Sequence, residues 1–167
     1  IASSRIVKAQ NRMKSSESYF GLLSEIVQDL INNRAVPQIE AKEGKETVLL
    51  IVLTSDRGLA GAYNTNVLKI ADTRRKEIEQ SNKNVEIVTV GKKATGYFTY
   101  RKIDVTAGYE GMSDSPEFEN ALDVMTPITD KFYSGDVSSI EIVYTSYKSA
   151  LTQDAVIKKV LPLDPQE

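Results

Sequence analysis

Residues Val48 to Leu53 constrain the fold of this chain more than any other stretch. Six apolar residues, Val48-Leu-Leu-Ile-Val-Leu53, run without alternation. A strand of that kind is buried on both faces, as strands in the middle of parallel sheets are. Polarity then arrives at once with Thr54, Ser55, Asp56 and Arg57. Gly58 and Gly61 follow, admitting backbone conformations that a side chain would forbid. Asn64 or Thr65 can cap a helix that opens near Asn66. The unit reads as strand, glycine-containing turn and helix. Such a turn can cradle a phosphate on backbone N–H groups and a helix N-terminus. This one lacks GxGxxG spacing and the GK[ST] of a P-loop, so the pattern favours a structural turn, with the cradle as its alternative. Asp56 is expected to accept backbone N–H bonds within the turn, and Arg57 to tie it to the long first helix or to a neighbouring subunit.

The 167 residues suffice for one domain with a real core. Histidine and cysteine are both absent. That removes disulfides, thiol chemistry, the usual zinc sites and Ser-His-Asp triads. An enzyme would have to work with Asp, Glu, Lys, Tyr or a bound metal. The net charge of −2 gives no case for nucleic acid, which favours basic domains. No apolar run approaches the ~20 residues of a membrane-spanning helix, and no signal peptide or lipidation motif is present.

Ile1 to about Asn33 reads as one helix of roughly 50 Å. With Ile6 at heptad position a, Met13, Phe20 and Val27 follow at a, while Ala2, Ala9, Leu23 and Leu30 occupy d; Ser16 alone breaks the seam. After Tyr19 the apolar face widens to Leu22, Ile26 and Ile31. The first half is therefore expected in a thin coiled coil and the second half on a globular body. Arg5, Lys8, Arg12 and Lys14 stand in the first sixteen residues without an acid. They form either a solvated face or a basic collar for an acidic partner.

Downstream, Glu40 to Glu46 is a polar linker. A helix over about 66–80 puts Val67, Leu68, Ala71 and Ile78 inward and leaves Lys69, Arg74, Arg75 and Lys76 on a solvated face. Strand 2 is Val85–Val90, a short helix runs to Tyr100, and Ile103, Val105, Ala107 and Tyr109 alternate as an edge strand. Tyr97, Phe98 and Tyr100 read as helix packing. Ser115 and Pro116 are an N-cap and first-turn pair, with Pro127 expected to kink or divide the helix they start. Glu117, Glu119 and Asp123 read as solvated. Strand 4 is 140–147 and strand 5 is 154–161, joined too tightly for a crossover and so antiparallel. The result is an α/β fold: a doubly wound, mostly parallel five-stranded sheet of Rossmann-like order 3-2-1-4-5. Its topological switch point falls on Ser55 to Gly61, where such folds bind ligands.

Three stretches carry a family resemblance. Leu53-Thr-Ser-Asp-Arg-Gly-Leu-Ala-Gly-Ala-Tyr-Asn-Thr-Asn-Val67 resembles the TSDRGLCGG[FYL]N signature of the gamma subunit of F-type ATP synthase, departing at Ala60 and Ala62, both small. Ile142-Val-Tyr-Thr-Ser-Tyr-Lys-Ser-Ala-Leu-Thr-Gln153 with Val160-Leu-Pro-Leu163, and Ala2-Ser-Ser-Arg-Ile-Val-Lys-Ala-Gln10, match in the family's order. The resemblance implies a non-catalytic central rotor shaft, with no catalytic residue, cofactor or metal site of its own. It implies alpha and beta catalytic-head subunits, an epsilon-type stalk subunit and a membrane c-ring as partners, and no nucleic acid. It places the chain peripherally, without direct membrane insertion, on the cytoplasmic face of a bacterial plasma membrane or the equivalent organelle membrane. Ile6, Ala9, Met13, Phe20, Leu23, Val27 and Leu30 would be the seam of an antiparallel coiled coil with a C-terminal helix. Arg5, Lys8 and Arg12 would face acidic loops of the beta subunits, and Ser55, Asp56, Arg57, Gly58 and Gly61 would be a structural turn. The implied organisation is 1–35 shaft helix, 36–46 linker and 47–167 globular domain. Both ends read as cut, since the family continues past each. The competing readings are a nucleotide- or phosphate-binding domain using the Ser55–Gly61 turn and a nucleic-acid or regulatory module using the basic helix.

Overall fold

The centre of the sheet is β1 (Thr47–Leu53), flanked on both sides by parallel partners. In the computed structural model, residues 2–33, 44–56, 63–110, 117–149 and 152–163 are described, with first-helix side chains from Ser16 onward. The remaining elements are α1 (Ala2–Asn32), α2 (Tyr63–Gln80), β2 (Asn84–Val90), α3 (Lys92–Tyr100), β3 (Ala107–Tyr109), α4 (Phe118–Tyr133), β4 (Ser139–Ser149) and β5 (Thr152–Leu161). The strand order is β3-β2-β1-β4-β5, with β5 alone antiparallel, as the sequence pattern predicts.

Non-alternating hydrophobicity in β1 has a direct cause: each side of the sheet carries its own core. Leu49, Ile51 and Leu53 pack with residues of α1 and α4, and Val48, Leu50 and Val52 with residues of α2 and α3. Full burial of one such side chain contributes roughly 1.5–3 kcal/mol, and all six are at most 4% exposed.

The second half of α1 lies on the first of these cores. Tyr19, Leu23, Ile26 and Val27 are buried, and Phe20, Leu22, Leu30 and Ile31 pack against the cluster. The Phe20 ring stacks on Tyr144, centroids 4.1 Å apart and planes 7° from parallel. Phe20, Leu23, Val27 and Leu30, expected in a coiled-coil seam, pack instead on the core of the sheet domain, together with Leu22, Ile26 and Ile31 of the widened face. Ile6, Ala9 and Met13, with Arg5, Lys8 and Arg12, lie outside the described side chains.

Several local expectations change. α2 opens three residues earlier than expected, so Asn64 lies inside its first turn. α4 starts at Phe118, with extended Glu117 at the N-cap position and the Ala121 N–H on the Glu117 carbonyl as its opening bond; Ser115 and Pro116 lie outside the described residues. Pro127 does not divide α4. It removes the N–H that would serve the Asp123 carbonyl, but both residues are exposed, so water can take that carbonyl. Only Ala107–Tyr109 of the alternating stretch pairs with β2. Ile103 and Val105 still pack on the second core.

The cationic face of α2 is not simply solvated. Arg74 forms a two-pronged pair with Glu141 of β4, Nε to Oε1 and Nη2 to Oε2, each 2.8 Å. Arg75 binds Asp72 at 2.8 Å and reaches Glu79 at 3.4 Å. The Tyr97 hydroxyl donates to Asp72 at 3.4 Å, while Arg101 lies 3.6 Å over the Tyr97 ring.

Candidate functional site

The carboxyl end of the sheet is where a fold of this topology binds ligands. Three consecutive residues leaving β1 occupy the N-terminus of α3 there. The N–H groups opening a helix have no partner within it and form a ready anion site. In α3 these are Lys92, Lys93 and Ala94. The Lys92 N–H donates to the Asp56 carboxylate (2.9 Å), the Lys93 N–H to the Ser55 carbonyl (3.3 Å), and the Ala94 N–H to the Thr54 hydroxyl oxygen (2.9 Å). Thr54 also donates its own N–H to the Val90 carbonyl at 2.8 Å. The terminus is thus capped from across the sheet.

Gly91 explains why the cap comes from outside. It holds the N-cap position with φ 106° and supplies no side-chain cap. A Cβ at Gly91 would run into the Thr54 carbonyl oxygen. The close approach that lets Thr54, Ser55 and Asp56 reach the α3 amides therefore requires glycine, both for space and for the left-handed conformation.

The other side of the turn is braced as well. The Ser55 N–H donates to Asn64 Oδ1 at 3.0 Å, and Asn64 Nδ2 donates to the Ser55 hydroxyl oxygen at 2.8 Å. All of Thr54, Ser55 and Asn64 are buried. Of the predicted turn residues, Ser55 and Asp56 come together with α3. Arg57, Gly58 and Gly61 lie outside the described residues. Asp56 reaches beyond its own turn to Lys92, and Asn64 is a brace for Ser55 where a helix cap was expected.

A second closure lies between β1 and β4. Their pairing ends at Val52↔Val143, while β4 continues to Ser149. N–H groups two residues apart on a strand face the same edge. Those of Thr145 and Tyr147 donate to Ser16 Oγ and Glu17 Oε2, each at 3.3 Å, and the Ser146 hydroxyl donates to Glu17 Oε1 at 3.2 Å. Ser16, the residue that broke the apolar seam, is buried because it serves this edge. Sequence pattern alone missed Ser16, Glu17, Arg74 and Glu141; the polar interruption at Ser16 was the available signal.

Chemically, the backbone donors named above are paired, whereas the buried Thr145 hydroxyl finds no hydrogen-bond partner among the described residues. Among the described residues, no group of three His, Cys, Asp or Glu is placed to hold a metal ion, and no helix is long and apolar enough to cross a membrane.

Comparison with known proteins adds the family context. A family model described as ATP synthase matches residues 1–167. The chain is 33% identical over 179 residues to the ATP synthase gamma chain of Mycolicibacterium vanbaalenii, covering 98% of this chain and 58% of the relative. It is 33% identical over 171 residues to the ATP synthase gamma chain of Synechococcus elongatus, covering 99% and 54%. The chain thus spans somewhat over half the length of these relatives. Its fold is similar to a chain of the Tetrahymena thermophila mitochondrial ATP synthase central stalk and c-ring structure, with TM-score 0.57, 17% identity and coverage of 93% of this chain and 72% of that one. A chain of the Euglena gracilis mitochondrial ATP synthase gives TM-score 0.53 at 21% identity, covering 95% and 52%.

Proposed function

The chain belongs to the ATP synthase gamma-chain family, and we propose that it is the central-stalk rotor subunit, carrying torque between a proton-driven membrane ring and the catalytic subunits during ATP synthesis. The observation that supports this reading is the seating of α1. A helix of 31 residues, ~46 Å long at 1.5 Å per residue, buries one face of its second half in the core of the sheet domain. A shaft needs that combination of a stiff lever and a firm foot.

In this reading the chain is non-catalytic and carries no cofactor. Its partners are the alpha and beta subunits of the catalytic head, an epsilon-type stalk subunit and the c-ring, and it sits peripherally on the cytoplasmic face of a bacterial plasma membrane or the equivalent organelle membrane. Residues 1–35 are the shaft helix, 36–46 a linker and 47–167 the globular foot. Ile6, Ala9 and Met13 continue the apolar stripe into an antiparallel coiled coil, and Arg5, Lys8 and Arg12 turn past the acidic loops of the beta subunits.

The alternative is a nucleotide or phosphate site on the Ser55–Gly61 turn. Within that turn the Ser55 N–H is already bound by Asn64, and the neighbouring α3 amides already bind Thr54, Ser55 and Asp56, which weighs against an anion there. Two measurements test the reading. The full-length natural chain, assembled with alpha and beta subunits, should rotate on ATP addition. Calorimetry of the chain alone with magnesium and ATP should give no heat down to about millimolar affinity. A micromolar isotherm abolished by Asp56→Ala would favour the alternative, and an assembled head without rotation would refute the rotor.

A further inference from the structure

Resting on the rotor reading, we propose that Ser16 and Glu17 are the torque joint: they key the shaft helix to β4, in the crevice where sheets of this topology otherwise take a ligand.

The argument starts from what an apolar interface can resist. Contacts such as those of Leu23 and Val27 hold a helix against a sheet, yet they are non-directional. A helix loaded about its axis can shift within them by repacking side chains. Hydrogen bonds weaken steeply with misalignment, so bonds from helix side chains to strand backbone fix both register and rotation. α1 supplies such bonds at adjacent residues. Ser16 accepts from the Thr145 N–H, and the Glu17 carboxylate accepts from the Tyr147 N–H and the Ser146 hydroxyl. Bonds to an ionised acceptor are the stronger kind.

One turn further along, Phe20 stacks on Tyr144, and the Lys158 ammonium lies 5.4 Å from the Phe20 ring centroid. Ser16, Glu17 and Phe20 thus grip four consecutive strand residues, Tyr144 to Tyr147. The grip falls where β4 has outrun β1 and its edge has no strand partner on that side among the described residues. Among the described side chains, Ser16 and Glu17 are the first that α1 places on the domain. Load entering along the helix meets them before it meets the apolar core.

The test uses the full-length chain in the assembled complex in membrane vesicles, with Glu17→Ala, Glu17→Gln and Ser16→Ala. The readout is the ratio of protons pumped to ATP hydrolysed, measured against a rising opposing proton gradient. Glu17→Ala should match wild type at zero gradient and lose coupling progressively as the gradient rises. Ser16→Ala should do so to a smaller degree. Glu17→Gln should stay close to wild type, because its carboxamide oxygen can still accept the Tyr147 N–H. Hydrogen exchange of the Tyr147 amide in Glu17→Ala should speed about tenfold for loss of one such bond. Faster exchange with wild-type coupling at every gradient would overturn the joint, as would Glu17→Gln failing as Glu17→Ala does. A wild-type complex that hydrolyses ATP and pumps no protons at all would instead overturn the rotor reading.

Discussion

Replacing Asp56 by alanine removes the one described carboxylate at the start of α3. Its Oδ1 lies 2.9 Å from the Lys92 N–H, and Gly91 at the N-cap position has no side chain to substitute for it. Loss of a side-chain helix cap costs about 0.5–2 kcal/mol. Loss of a negative charge at a helix N-terminus adds about 0.3–1 kcal/mol, and the lower end applies because Asp56 is only half-buried. The two together give about 1–2.5 kcal/mol. For a domain of this size, 1 kcal/mol moves Tm by ~2–4 °C, so Asp56→Ala should melt roughly 2–10 °C below wild type by calorimetry. Asp56→Asn keeps an acceptor oxygen and loses only the charge, so its shift should be well under half as large. Hydrogen exchange should accelerate at Lys92 to Ala94 and remain unchanged at Ile51 in β1. An unaltered melting temperature in Asp56→Ala would refute the cross-sheet cap as a source of stability.

Two further outcomes follow from the ion pairs around α2. The Glu141 side chain is 5% exposed against 32% for Arg74, and the Glu141 hydrogen bond, set against partial burial, holds the Arg74 guanidinium above its ordinary pKa. Arg74→Ala strands the Glu141 carboxylate and should cost about 2–4 kcal/mol in urea denaturation, whereas Arg74→Leu with Glu141→Leu should recover most of it; a double variant no more stable than the single would sink that account. At Asp72, burial pushes the carboxyl upward, but the hydrogen bond and charge of Arg75, with Lys76, outweigh it and leave the pKa below its ordinary value. A depressed carboxylate contributes stability above its unfolded pKa that is lost as pH falls through its folded pKa. Urea midpoints of wild type should therefore fall more steeply below about pH 4 than those of Asp72→Asn, and parallel profiles would exclude this contribution.

How much of this was legible in the sequence depends on the range of each cause. The burial of β1 on both faces follows from six adjacent side chains, and the β4–β5 hairpin from a connection too short for a crossover. The strand order then follows from right-handed crossovers. What the pattern misread was set by partners far along the chain. Ser16 looked like a flaw in a heptad because its partner, Thr145, is 129 residues away. Arg74 looked solvated because nothing near it in sequence reveals Glu141, 67 residues on. Asn64 has the chemistry of a cap, but its oxygen and nitrogen find Ser55. Pro127 follows a local rule that fails only because both ends of the missing bond face water.

On the proposed rotor function, the same two closures account for how a ligand-binding topology would serve a mechanical purpose. Binding a phosphate at a helix N-terminus requires amides that are oriented yet unpaired. Here the amides of Lys92, Lys93 and Ala94 are oriented and already paired, one of them with a carboxylate. An incoming anion would have to displace Asp56 and then sit beside its negative charge, which costs more than it gains unless the anion binds far more tightly than a single terminus allows. On the β4 edge, Ser16 and Glu17 occupy the donors that a ligand would use. Each internal acceptor also ties together elements that the backbone ladder leaves separate: β1 to α3, and α1 to β4. Filling the crevice from within therefore occupies these described donors and adds cross-links by one and the same set of bonds. If the sheet turns as one body with its helix, as proposed, it gains stiffness where a sheet built to bind would keep its donors open.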